Sequence, residues 1–113
     1  MKRLWASVLV LCAIVAAGAP ATASAATCKP PKYPGSGYFT SLKVTKVSCA
    51  TGSSVALAFH KCRVKKGVTG RCVSKVKGYA CKETRESIST EIDGRVTCKY
   101  GSRKVELTYQ QNT

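Results

Sequence analysis

Acidic residues are scarce in this chain: five Asp and Glu stand against 19 Lys and Arg, for a formal net charge of +14. There is one histidine, His60, no C-x-x-C pair and no G-x-S-x-G. Each absence removes a class of chemistry. A zinc site wants closely spaced Cys and His ligands, and His60 stands two residues from Cys62, which is not finger spacing. Ribonuclease-type phosphoryl transfer wants an acid and a base around the phosphate, and no carboxylate lies near His60 in sequence. Glycoside hydrolysis wants two carboxylates across a cleft. Here Glu83, Glu86, Glu91 and Asp93 crowd one polar stretch beside basic residues, as in a solvated loop. The serines sit in no nucleophile elbow. A non-catalytic chain without metal or cofactor is expected.

Long apolar runs are also missing, except at the start. Leu4 to Gly18 is almost wholly apolar behind Lys2 and Arg3, and Pro20 ends the run. It is short for a membrane span, which takes ~20 residues. Ala23-Ser24-Ala25 supplies the small-x-small pattern of a cleavage site, so residues 1–25 read as a signal peptide and the protein as secreted. Cys12 follows Leu11, where a lipobox needs a small residue, and it leaves with the signal.

Six cysteines remain: Cys28, Cys49, Cys62, Cys72, Cys81 and Cys98. An even set in a short exported chain reads as a disulfide framework. The sequence leaves the connectivity open; Cys62–Cys72 is the most local pair, and Cys81–Cys98 would join a strand to a hairpin. Removing 25 of 113 residues leaves 88, enough for one small domain. Its core is modest, and each disulfide adds ~2–4 kcal/mol by restricting the unfolded chain.

What remains abundant is positive charge. Seventeen of the 19 basic residues and all five acids lie beyond residue 25, leaving +12. HKCRVKKGVTGRCVSKVK, residues 60–77, holds seven of these cations and no acid. Such a stretch either meets a polyanion or is a solvated face that only solubilises the chain. Tyr79 in KGYACK and Tyr100 in CKYGSRK interleave aromatic and basic residues, as nucleic-acid platforms do. They read better, with Tyr109, as half-buried sheet residues with hydroxyls at the rim.

ATCKPPKYPGSG, residues 26–37, is a Pro/Gly-rich arm held by Cys28. In YFTSLKVTKVSC, Leu42 and Val44 share one parity while Val47 and Cys49 take the other, which predicts a strand with a bulge or twist near Thr45-Lys46. Ser48 is a candidate N-cap for a helix with Val55, Phe59 and Cys62 as its apolar stripe; Gly52 weakens it. RVKKGVTGR reads as a loop turning at Gly67 and Gly70. RCVSKVKGYACKE reads as a strand, with a close backbone approach or a bulge at Gly78. ETRESISTEIDG reads as a polar surface connection with little structure. RVTCKYGSRKVELTY predicts a hairpin turning at Gly101-Ser102, with Cys98 opposite Val105 and Val96 opposite Leu107.

The succession VSCATGSSVALAF, VKGYAC and VTCKYGSRKVEL resembles small exported actinobacterial domains of unknown function. These carry a cysteine before a helix, a Gly-aromatic-x-Cys strand and a Val-x-Cys-x-x-Gly hairpin. The resemblance covers Val44 to Tyr109 and implies a fold, with no activity and no site residue.

The expected fold is therefore α+β: one helix on a small antiparallel sheet in the order β-α-β-β-β, stapled by disulfides. Residues 38–113 form the domain behind the signal peptide and the arm. The expected function is a secreted basic module, monomeric and without a membrane span, whose cations meet an anionic surface or an extracellular protein partner. Cell-wall polymer, acidic polysaccharide and lipid headgroups fit the charge equally. The candidate contacts are Lys61, Arg63, Lys65, Lys66, Arg71, Lys75 and Lys77. The alternatives are a secreted hydrolase inhibitor presenting KGVTG, residues 66–70, or a chain whose charge only solubilises it. Mass spectrometry of culture supernatant should find an N-terminus at Ala26 or Thr27; an intact Met1 or a lipid on Cys12 would refute the signal-peptide reading.

Overall fold

Alternating apolar residues fold the last quarter of the chain as the sequence predicts. In the computed structural model, which describes residues 25–113, strands β4 (Glu91–Tyr100) and β5 (Arg103–Asn112) are joined by Gly101-Ser102. Cys98 pairs with Val105 and Val96 with Leu107. The expected signal peptide falls almost wholly in residues 1–24, outside the described residues. Before the hairpin come β1 (Ala26–Cys28), β2 (Gly37–Thr45), helix α1 (Cys49–Arg63), a 3-10 turn (Val64–Lys66) and β3 (Ala80–Ile88). The strands form one antiparallel sheet in the order β1-β2-β5-β4-β3. The expected β-α-β-β-β order is present, with the short β1 added at one edge.

Helix α1 covers one face of the sheet. Ser48 caps it, its hydroxyl accepting from the Thr51 amide at 3.1 Å. No acid sits in its first turn, while Lys61 and Arg63 occupy the last, where the helix dipole favours cations. Gly52, Val55, Ala56, Phe59, His60 and Arg63 are buried, a stripe at helical spacing that runs one turn beyond the apolar residues. It packs on Phe39, Leu42 and Val44 of β2 and on Val105, Leu107 and Tyr109 of β5.

Three expectations are corrected. The β2 bulge lies between Phe39 and Ser41, not at Thr45-Lys46. It brings Phe39 and Leu42, three residues apart, onto the same buried face. At Lys46, with φ 59°, the chain leaves the sheet, so Val47 and Cys49 belong to the approach to the helix. The stretch before Cys81 is not a strand: β3 begins at Ala80, and Val76–Tyr79 is a tight turn closed by two backbone hydrogen bonds. Gly78 there has φ 83° and presses on Tyr100, the close approach expected of it. ETRESISTEIDG is not an unstructured connection but the body of a second hairpin, from β3 through Ser89-Thr90 into β4. Glu83, Glu86, Glu91 and Asp93 consequently stand on strands.

The disulfides are Cys28–Cys49, Cys62–Cys72 and Cys81–Cys98. The first pins the N-terminal arm to the start of α1; the other two are the pairs favoured from sequence. Tyr33 of the arm is buried against Phe39 and His60. No helix among the described residues is long and apolar enough to cross a membrane.

Gly52 shows which effect governs the contact between helix and sheet. On an open helix face, Gly→Ala gains about 1 kcal/mol of propensity. At position 52 the added methyl would stand 2.4 Å from Val44 Cγ1, and overpacking of this kind costs about 1–3 kcal/mol. Urea unfolding should therefore place Gly52→Ala below the parent midpoint, and Ser54→Ala, on the exposed face, slightly above it.

Candidate anion-binding site

The end of α1, the 3-10 turn and the segment after Cys72 surround one open depression of ≈ 640 Å³. Lys61 comes from the last helical turn, Lys65 and Lys66 from the 3-10 turn, and Arg71 and Lys75 from the returning chain. Cys62–Cys72 ties the two sides together, and Val73, 90% exposed, stands on the rim. Five of the seven expected contacts are thus brought to one place. Among the described residues the four lysines have no ion-pair partner; Arg71 reaches Glu83 at 3.8 Å with its side chain 58% exposed. Lys77 sits in the Val76–Tyr79 turn at φ 49°, outside the lining.

Arg63 is not a contact residue. It is 0% exposed, because it extends the buried stripe of α1 into the core. Its guanidinium donates to Val68 O at 2.5 Å, Tyr33 Oη at 2.8 Å and Gln111 Oε1 at 2.9 Å, and lies 4.5 Å from the centre of the Tyr109 ring. Arg85, on β3, donates to Thr69 O at 2.7 Å, to Gly70 O and to Glu83. Two inward-facing arginines therefore grip three successive carbonyls, at 68, 69 and 70, from beneath. Gly67, with φ 100°, and the bonds Gly67 N–H to Val64 O and Gly70 N–H to Gly67 O set the turns between them. The loop that carries the basic residues is held from within.

The same interior explains the tyrosines and the histidine. Tyr109 and Tyr79 are buried, not half-buried, whereas Tyr100 is 49% exposed with Arg103 over its ring. The Tyr109 ring lies on Gly94, where any Cβ would stand 2.1 Å from Cε1. Burial, reinforced by the Glu83 charge and opposed by Arg63, pushes the Tyr109 phenol up to about 12. Tyr33 is raised as well, by burial, with Arg63 again opposing. His60 packs edge-on to Tyr33 with ring centres 4.6 Å apart, and its Nδ1 has no hydrogen-bond partner. Burial first, then the Arg63 charge, hold its imidazole below the ordinary 6.5. It is a packed core residue.

A second concavity, ≈ 460 Å³, lies on the outer face of the sheet. Glu86, Asp93 and Arg95 line it together with threonines, so it presents charges of both signs where the basic depression presents one. Among the described residues no cluster of three or more His, Cys, Asp and Glu is arranged to hold a metal ion. No protein-family model matches the chain, and neither does any curated protein or solved structure. The fold itself defines a small, cysteine-rich α+β domain.

The His60 environment sets a pH dependence. The unfolded chain takes up a proton near the ordinary value of 6.5, while the folded chain resists it until lower pH. The neutral histidine's contribution is thus complete above that value and is lost as pH falls from it towards the depressed folded value. Thermal unfolding from pH 7.5 to 5 should show the parent losing more stability than His60→Phe; parallel curves would contradict a buried neutral imidazole.

Proposed function

We propose that the protein is a non-catalytic secreted module whose basic depression binds an anionic polymer: a cell-wall polymer, an acidic polysaccharide or a layer of lipid headgroups. The observation that carries this is the convergence of Lys61, Lys65, Lys66, Arg71 and Lys75 on one concavity where only Arg71 has an acidic neighbour. Ammonium groups on a shared surface raise local anion concentration and release counterions when a polyanion docks. A loop already held by a disulfide and two arginines loses little conformational freedom on binding. Three disulfides and the resemblance to small exported actinobacterial domains support an extracellular setting.

The grip of Arg63 and Arg85 on residues 68–70 favours one second reading, a hydrolase inhibitor. A rigid loop with Val68 at its tip is the shape an inhibitor presents to an active site. Salt separates the two, since polymer binding falls steeply as salt rises and a loop seated in a pocket tolerates it.

Replacing Lys65, Lys66 and Lys75 together by Gln should leave the unfolding midpoint unchanged. It should weaken binding to long-chain polyphosphate by at least about tenfold at low salt, with a flatter salt slope. Neutralising Lys43, Lys46 and Arg103, away from the depression, should have a smaller effect. Equal losses in both triple variants, or no polyanion binding by the parent at ~0.15 M salt, would overturn the proposal.

A further inference from the structure

The two edges of the sheet differ. β1 has three residues and runs into Lys29-Pro30-Pro31, whereas β3 has nine residues, no proline and an unshifted ladder from Ala80↔Lys99 to Ile88↔Glu91. A long, regular outer strand is a template for another strand unless something blocks it.

The hairpin geometry fixes which main-chain groups of β3 are free. Closing at Ile88↔Glu91 around a two-residue turn makes residues 80, 82, 84, 86 and 88 the ones bonded to β4. The 4.0 Å Cα separation of Cys81 and Cys98 fits the intervening close, non-bonded pairs. The N–H and C=O of Cys81, Glu83, Arg85 and Ser87 therefore point away from the sheet. Among the described residues, no turn, loop or side-chain hydrogen bond takes them up.

We propose that β3 pairs antiparallel with β3 of a second copy, about a two-fold axis at Thr84, joining two five-stranded sheets into one. The sequence ACKETRESI is self-complementary in this register. Thr84 faces Thr84 once, on the axis; Lys82 faces the second copy's Glu86 and Ala80 faces its Ile88, each of these two pairs occurring twice by symmetry. On the inner face Glu83 comes opposite Arg85. Sliding by two residues destroys the match: Lys82 then meets Ile88 or Thr84, and Glu86 meets Thr84 or Ala80. Sliding by one sets outward-pointing groups against groups already bonded.

Three features of the single copy are resolved by this pairing. Lys82 and Glu86 make no ion pair among the described residues. Glu86 stands opposite Asp93 on β4, a like charge. Ile88 is 63% exposed at the strand end. In the dimer the lysine neutralises the crowded carboxylates and the isoleucine gains an apolar neighbour. Two chains of high positive charge repel at long range, but at ~0.15 M salt that field is screened beyond about 8 Å while facing side chains still interact.

Sedimentation equilibrium of the oxidised protein at ~0.15 M salt, with no polyanion present, tests the pairing separately from polymer binding. A monomer–dimer equilibrium is expected within concentrations up to about 1 mM. Lys82→Glu, which sets acid against acid at both ends, should weaken it at least about tenfold, and Lys82→Glu/Glu86→Lys should restore it. Ser87→Pro removes an outward N–H without touching the ladder to β4 and should abolish the dimer; should that variant misfold, the charge reversal and its rescue decide alone. A monomer throughout the range, or a dimer indifferent to both reversal and swap, would overturn the inference.

Discussion

One guanidinium holds the two layers of this protein together. Arg63 is wholly buried and meets no carboxylate directly, a placement that is unfavourable unless neutral groups replace its water. Tyr33 from the arm, Gln111 from the last strand, Val68 from the basic loop and the face of Tyr109 supply that replacement. Three chain segments, the arm, the last strand and the basic loop, are thereby tied to a single side chain. Removing any one acceptor would leave a buried charge under-solvated, so the arm, the sheet end and the loop are ordered together. Tyr33 and Gln111 also bond each other, so the donors and acceptors around the charge form a closed network.

The parts of the fold legible in the sequence were those where one apolar face alternates with one polar face. The Val96–Leu107 and Cys98–Val105 pairs follow from a two-residue turn and a period of two. The helix start follows from Ser48. The greater part of β3 escaped because its inward residues after Cys81 are Glu83 and Arg85, not apolar. The surface they cover is the carbonyl edge of a loop, so charge and hydrogen bonding do there what apolar packing does elsewhere. VSKVKG, read as part of a strand, is not one, because the chain turns at once between Val76 and Tyr79.

The site was legible as a region but not residue by residue. Composition treats Arg63 like its basic neighbours. Its position tells it apart: Val55, Phe59 and Arg63 recur every four residues, so the stripe that buries the helix also buries the arginine. Lys61 and Lys65 fall off that stripe and remain outside. Helical phase, where the helix was already assigned, could have divided the basic stretch into an inner and an outer set. Arg85, by contrast, lay in a segment whose strand character was itself hidden, and no local pattern pointed to its role.

Because residues 68–70 are held through their carbonyls by side chains from beneath, the loop's course depends little on what its own outward side chains are. Val68 and Thr69 can differ in size or polarity as long as their backbone can still be grasped. Lys61, Lys65, Lys66 and Lys75, which make no ion pair among the described residues, are similarly unconstrained. Architecture and surface are therefore written in different residues, and mutation can redraw the charge pattern of this face over evolutionary time without renegotiating the fold beneath it.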